Sequence, residues 1–76
     1  MYNEKMIQDI FKVLNVDPDE EFSVVAQNLN DYVLIKNAYI SERLYLVDKD
    51  SGTAKNEYLL NIMRGIYSIK KHEKTA

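Results

Sequence analysis

The stretch Asp48-Lys49-Asp50-Ser51-Gly52 sets side-chain oxygens at alternate positions, the way a calcium-binding loop begins. Such a loop needs a side-chain oxygen at its fifth position, glycine at its sixth and glutamate at its twelfth, and here those places hold Gly52, Thr53 and Leu59. The stretch therefore reads as a turn. Zinc requires a set of Cys, His or carboxylate ligands, yet the chain has no cysteine and one histidine, His72, in a basic C-terminal stretch. His72 reads as a solvated side chain, and neither a metal nor a cofactor is expected. Nucleophilic catalysis needs a base oriented by a third group, and the lone imidazole lies among lysines. A phosphate-cradling loop needs more glycine than Gly52 and Gly65 supply. Carboxylates are plentiful, but acid–base work requires a cleft that drives two pKa values apart, and a 76-residue core has little room for one. No enzyme is expected.

Two groups of residues remain as candidates for recognition. "VDPDEEF", residues 16–22, gathers Asp17, Asp19, Glu20 and Glu21 around a proline. Carboxylates are disfavoured at a helix C-terminus and favoured at the start of a new element. Asp17 is thus read as an N-cap, Pro18 as a first helical residue, and Glu20 as the third position of a capping box, all in a single helical turn. A solvated turn is the bland reading; carboxylates meeting a basic partner is the sharper one. The second group comes from the six tyrosines, a residue favoured at interfaces for its large area and low entropic cost. In "RLYLV" at 43–47, alternation sets Tyr45 beside Arg43 and Val47, opposite Leu44 and Leu46, with Tyr39 in the link before it. The bland reading there is a rim of tyrosines around a small core. Asp17, Asp19, Glu20, Glu21, Tyr39, Arg43 and Tyr45 form the candidate partner-binding set.

The elements that must position these residues follow from periodicity. Ile7, Ile10, Phe11 and Leu14 recur at helical spacing, with Met6 and Val13 widening the stripe, Asn3 as N-cap and Asn15 at the C-cap. The pattern then alternates over 22–27, and "NLND" makes a turn into a second strand, "YVLIK" at 32–36. "NAYISE" at 37–42 is expected as a wide turn, and 43–47 as the third strand. "DKDSG" stops that strand, and Ser51 or Thr53 caps a second helix carrying Leu59, Leu60, Ile62, Met63 and Ile66. Either Gly65 ends that helix before a short strand with Tyr67 and Ile69 on one face, or the helix runs to Lys71. The break is preferred, because glycine inside a helix costs about 1 kcal/mol. The class is α+β: helix, three-stranded antiparallel sheet, helix and short final strand, in a single domain over 1–71, with a disordered basic tail over 72–76.

Bulk properties narrow the partners. The hydrophobic fraction of 46% and charged fraction of 29% suit a folded chain. At 76 residues the core must be thin, and without disulfides its stability must come from packing or association. A net charge of −2 argues against direct nucleic-acid binding, which draws its free energy from cations displacing counterions. No apolar run reaches the roughly 20 residues that span a bilayer, and the first residues mix acids into their apolar stripe where a signal peptide would not. No membrane association and a cytoplasmic location are expected.

The helix ending "VLNV", the turn and phenylalanine of "DPDEEFSV", the tyrosine-rich strands and the closing "YLLNIMRGIYSIKK" resemble small proteins encoded by phages and prophages of Gram-positive bacteria. The likeness spans nearly the whole chain, and Asp17-Pro18 stands where many of those proteins have glycine. The resemblance implies a small accessory protein that binds a host protein and inhibits or modulates it by contact. Candidate targets are CRISPR effectors, the action then being anti-CRISPR, and other nucleic-acid-processing defence enzymes. A self-associating structural or regulatory phage protein, such as a homodimer, is the alternative, and a nucleic-acid-binding module ranks last.

Overall fold

The structure is a computed structural model, described here for residues 3–72. Helix α1, Glu4–Leu14, starts where expected: the Asn3 side-chain oxygen accepts the Met6 N–H at 2.9 Å. It ends at Asn15, whose φ of 58° is left-handed. The Asn15 N–H donates to the Lys12 carbonyl and the Val16 N–H to that of Phe11, the two bonds of a Schellman motif. Val16 and Phe11 are both buried in the core, so the motif's hydrophobic contact points the chain inward.

Five strands follow, all antiparallel, in the order β4-β3-β2-β1-β5. They are β1 Phe22–Ala26, β2 Tyr32–Ile40, β3 Leu46–Asp48, β4 Thr53–Ala54 and, after helix α2 (Asn56–Met63), β5 Ser68–Lys71. The α+β class holds, but the sheet is larger than the three strands expected. Residues 37–40 extend β2 instead of turning, because Ala38 and Ile40 are fully buried and pair with β1 and β3. The third strand is 46–48 and not 43–47. Residues 53–54 form β4 where a helix cap was expected, and α2 begins beyond them with no side-chain cap.

The register of β1 on β2 slips twice, between Phe22 and Val24 and between Val24 and Val25. Each slip sets one extra β2 residue in a bulge, which twists the strand and keeps its apolar side facing the core. Both helices lie on that side. Phe11 of α1 and Leu59 and Ile62 of α2 join Phe22, Val24, Ile35, Ala38, Ile40 and Leu46 in one cluster. Phe22, Ile40, Leu46 and Val24 are its most deeply buried large side chains, each stabilising the fold by about 1.5–3 kcal/mol. Among the described residues no helix lies on the other face of the sheet.

α2 stops at Gly65, as preferred. Gly65, at φ 78°, donates to the Ile62 carbonyl and the Ile66 N–H donates to that of Asn61, a second Schellman motif. The chain then enters β5 with Tyr67 and Ile69 half-buried against the core. Among the described residues no helix is long and apolar enough to cross a membrane.

Candidate functional site

The acidic turn is a β-turn and not a turn of helix. The Glu20 N–H donates to the Asp17 carbonyl at 3.1 Å, with Pro18 second and Asp19 third at φ 64°. Proline followed by a left-handed residue is the type II pattern, and Asp tolerates that conformation where most side chains resist it. Half of the expected capping box survives, since the Glu20 carboxylate accepts the Asp17 N–H at 2.9 Å. The Asp19 N–H reaches across to the Ile40 carbonyl at 2.8 Å, tying the turn to the end of β2.

The four carboxylates therefore do different work. Glu20 is structural, holding the Asp17 N–H and lying 3.5 Å from the Lys71 ammonium. Glu21 pairs with Lys49 at 2.9 Å, across the sheet from it. That hydrogen bond, then the charge of Glu21, holds the Lys49 ammonium above the ordinary lysine pKa. Asp17 faces a hollow of about 430 Å³ shared with Gln8, Lys12 and Lys71. Asp19 and Glu21, with Tyr39 and Lys49, line a shallow depression of about 220 Å³. Asp19, Glu21 and Tyr39, three of the candidate residues, thus meet on one surface.

Arg43 and Tyr45 stand apart from that patch. Residues 41–45 form the loop of the β2–β3 hairpin: the Leu44 N–H donates to the Ser41 carbonyl, and the Ser41 N–H to that of Tyr45, both at 2.9 Å. Leu44 is left-handed at φ 64°, the residue that closes a three-residue hairpin loop with a bulge. Alternation therefore breaks before Leu46, and the shared strand face proposed for Arg43, Tyr45 and Val47 does not exist. Arg43 instead lines a hollow of about 400 Å³ with Glu42, Pro18 and Phe11, while Tyr45 is 51% exposed.

His72 is exposed, as expected of a solvated side chain, but its ring also meets two neighbours. Its Nε2 lies 3.1 Å from both the Ser23 hydroxyl and the Lys36 carbonyl, and Ser23 donates to that same carbonyl at 2.7 Å. A carbonyl only accepts, so the contact with Lys36 is a hydrogen bond only in a form of the ring that carries a proton on Nε2. In that form the Ser23 hydroxyl and the ring both donate to the Lys36 carbonyl, which is not the arrangement of a nucleophile and its base. The group fastens the end of β5 to the bulge at Lys36 and Asn37. The rest of the expected tail, 73–76, lies outside the described residues.

Compared with known proteins, the chain matches no family model, no curated protein and no solved structure. Among the described residues no three His, Cys, Asp or Glu side chains gather closely enough to hold a metal ion.

Two features escaped the sequence reading. Lys49 belongs to the patch, which follows only once Tyr39 is known to pair with Val47, two residues earlier. An apolar groove of about 360 Å³ also opens between the helices, lined by Ile10, Val13, Leu14, Ile62 and Met63, with Asp9 at its rim. Its signal was the widened stripe of α1: Met6 is 45% and Val13 84% exposed, so the widening exceeds what the core uses.

Proposed function

We propose that the chain is a small binding protein that works by contact, meeting a protein partner through the surface around Asp19, Glu21 and Tyr39. One observation carries this reading: the acidic turn and the β2 tyrosine converge on a depression at the sheet face that the helices leave open. Tyrosine beside carboxylates suits a partner with a basic, partly apolar groove, because the ring supplies contact area and the charges speed encounter. Resemblance to phage accessory proteins points to a host protein, with nucleic-acid-processing defence enzymes, CRISPR effectors among them, as the class to search. Inhibition or modulation then follows from occupying the partner's groove, with no reaction on the small protein itself.

An affinity pull-down from a bacterial lysate containing defence proteins tests this, with wild-type bait beside Asp19→Asn/Glu21→Gln and Tyr39→Ala. Glu20 is left intact because it holds the turn. Loss of a wild-type partner from variants that keep the native circular dichroism spectrum is the expected result. A partner retained by both variants removes this patch from recognition and turns attention to Arg43 and Tyr45. Capture of nothing by the wild type, or substrate turnover by the pure protein, overturns the reading.

A further inference from the structure

The depression around Asp19, Glu21 and Tyr39 already holds a cation, and it is the protein's own. The Lys49 ammonium lies 2.9 Å from a Glu21 carboxylate oxygen, with the charge of Asp50 adding to the attraction. The main chain places it there: the Lys49 N–H donates to the Asn37 carbonyl at 2.9 Å, two residues before Tyr39 on β2. Both side chains of the pair are exposed, by 56% and 42%, so water competes for each and the pair opens at little cost. Two neighbouring groups take no part in it. Among the described residues no cation pairs with the Asp19 carboxylate, and none lies over the Tyr39 ring, whereas Lys55 does lie over that of Tyr58. The lining thus sets two carboxylates and a half-buried tyrosine against one ammonium, an excess of negative charge that a second cation offsets.

Of the cationic side chains, arginine suits that set. Its planar guanidinium offers a fork of donors to neighbouring carboxylates, stacks on an aromatic ring and is more weakly hydrated than an ammonium. The acceptors are fixed in advance, because the Asp19 N–H is tied to the Ile40 carbonyl at 2.8 Å and Glu21 directly precedes β1. We infer that the depression receives an arginine side chain of the protein partner, which stacks on Tyr39, pairs with Asp19 and displaces Lys49 from Glu21. The inference rests on the recognition surface proposed above and names the chemistry that surface takes. Lys49 then acts as a built-in competitor: it occupies Glu21 in the free protein and lowers the affinity for any arriving cation. A lysine of the partner meets the same competitor without the fork or the stacking, so it binds more weakly.

NMR titration of the ¹⁵N-labelled protein at low salt tests this without a partner, with N-acetyl-arginine methylamide and N-acetyl-lysine methylamide as probes. The arginine probe is expected to give saturable shifts centred on Asp19, Glu21 and Tyr39, and the lysine probe weaker ones. No saturable shift at these residues, or equal affinity for both probes, overturns the arginine site. Lys49→Gln, at an exposed side chain, is expected to tighten arginine binding by about two- to fivefold, the range that exposed ion pairs span. An unchanged affinity in that variant overturns the competition. Tyr39→Leu should remove the preference for arginine over lysine, and a preference that survives it overturns the stacking. Resonances away from the depression report whether each variant keeps the native fold. The two readings fail separately: a partner captured through this patch while the probe does not bind overturns arginine alone, whereas probe binding beside an empty pull-down overturns the protein partner alone.

Discussion

The side-chain carbonyl of Asn56 accepts the main-chain N–H of Leu46 at 2.8 Å, so the first residue of α2 is bonded to the first residue of β3. The Asn56 amide also donates to the Leu44 carbonyl at 3.3 Å, and the Lys55 N–H donates to the Leu46 carbonyl at 2.7 Å. One amide thus satisfies main-chain groups on both sides of Tyr45, where β4 is too short to reach. Asn56→Ala should cost about 1–3 kcal/mol, because it leaves partly buried main-chain groups without partners. Asn56→Asp, which keeps the acceptor and loses the donor, should fall between alanine and wild type. Urea denaturation measures both, and an alanine variant as stable as wild type would refute this role.

Leu44 combines two properties that seldom coincide, a left-handed backbone and a side chain only 2% exposed. Removing the side chain should cost about 2–5 kcal/mol in lost burial. Glycine, however, recovers about 1 kcal/mol of backbone strain that alanine retains. Leu44→Gly should therefore be more stable than Leu44→Ala, the reverse of the order at an ordinary buried strand position. The opposite ranking in thermal melts would show that the hairpin adopts another conformation.

His72 is expected as the Nε2–H tautomer when neutral, because the Lys36 carbonyl can only accept. Long-range ¹H–¹⁵N NMR correlations of the ring distinguish the two tautomers directly. Ser23→Ala and His72→Ala should both speed amide exchange in β5 while leaving α1 unchanged, since the contact fastens that edge strand alone. A neutral ring protonated at Nδ1, or exchange unaltered in β5, would contradict the arrangement.

Lys49 is raised above its ordinary value of 10.5, chiefly by its hydrogen bond to Glu21. A group with a raised folded pKa contributes its full stability below the unfolded value and loses it as pH climbs through the folded one. The Glu21–Lys49 link should therefore persist at neutral pH and fade only above about 10.5. Its exposure keeps the contribution small and sensitive to salt. Melting temperatures of wild type and Lys49→Gln should differ slightly at pH 7 and low salt and converge at strongly alkaline pH. A gap that widens as pH rises would contradict this.

Local patterns in the chain were enough to define α1 from Asn3 to Asn15, the end of α2 at Gly65, the turn at 48–52 and the α+β class. Caps, helical period and turn residues act over a few neighbours, so their physics is written within a short window. The extent of β2, the existence of β4 and the hairpin at 41–45 could not be read that way. Whether Ala38 and Ile40 extend a strand depends on partners from β1 and β3, and a left-handed Leu44 breaks the alternation on which Arg43 and Tyr45 were placed. The candidate site divides along the same line. Its carboxylates and tyrosines were visible as residue types, whereas the meeting of Asp19 and Glu21 with Tyr39 and Lys49 was decided by strand register. The hold of Glu20 on its own turn, by contrast, is a local contact that the capping-box spacing already suggested. Register is a long-range property: it is set by which side chains the shared core can bury, and no single segment of this chain carries that information alone.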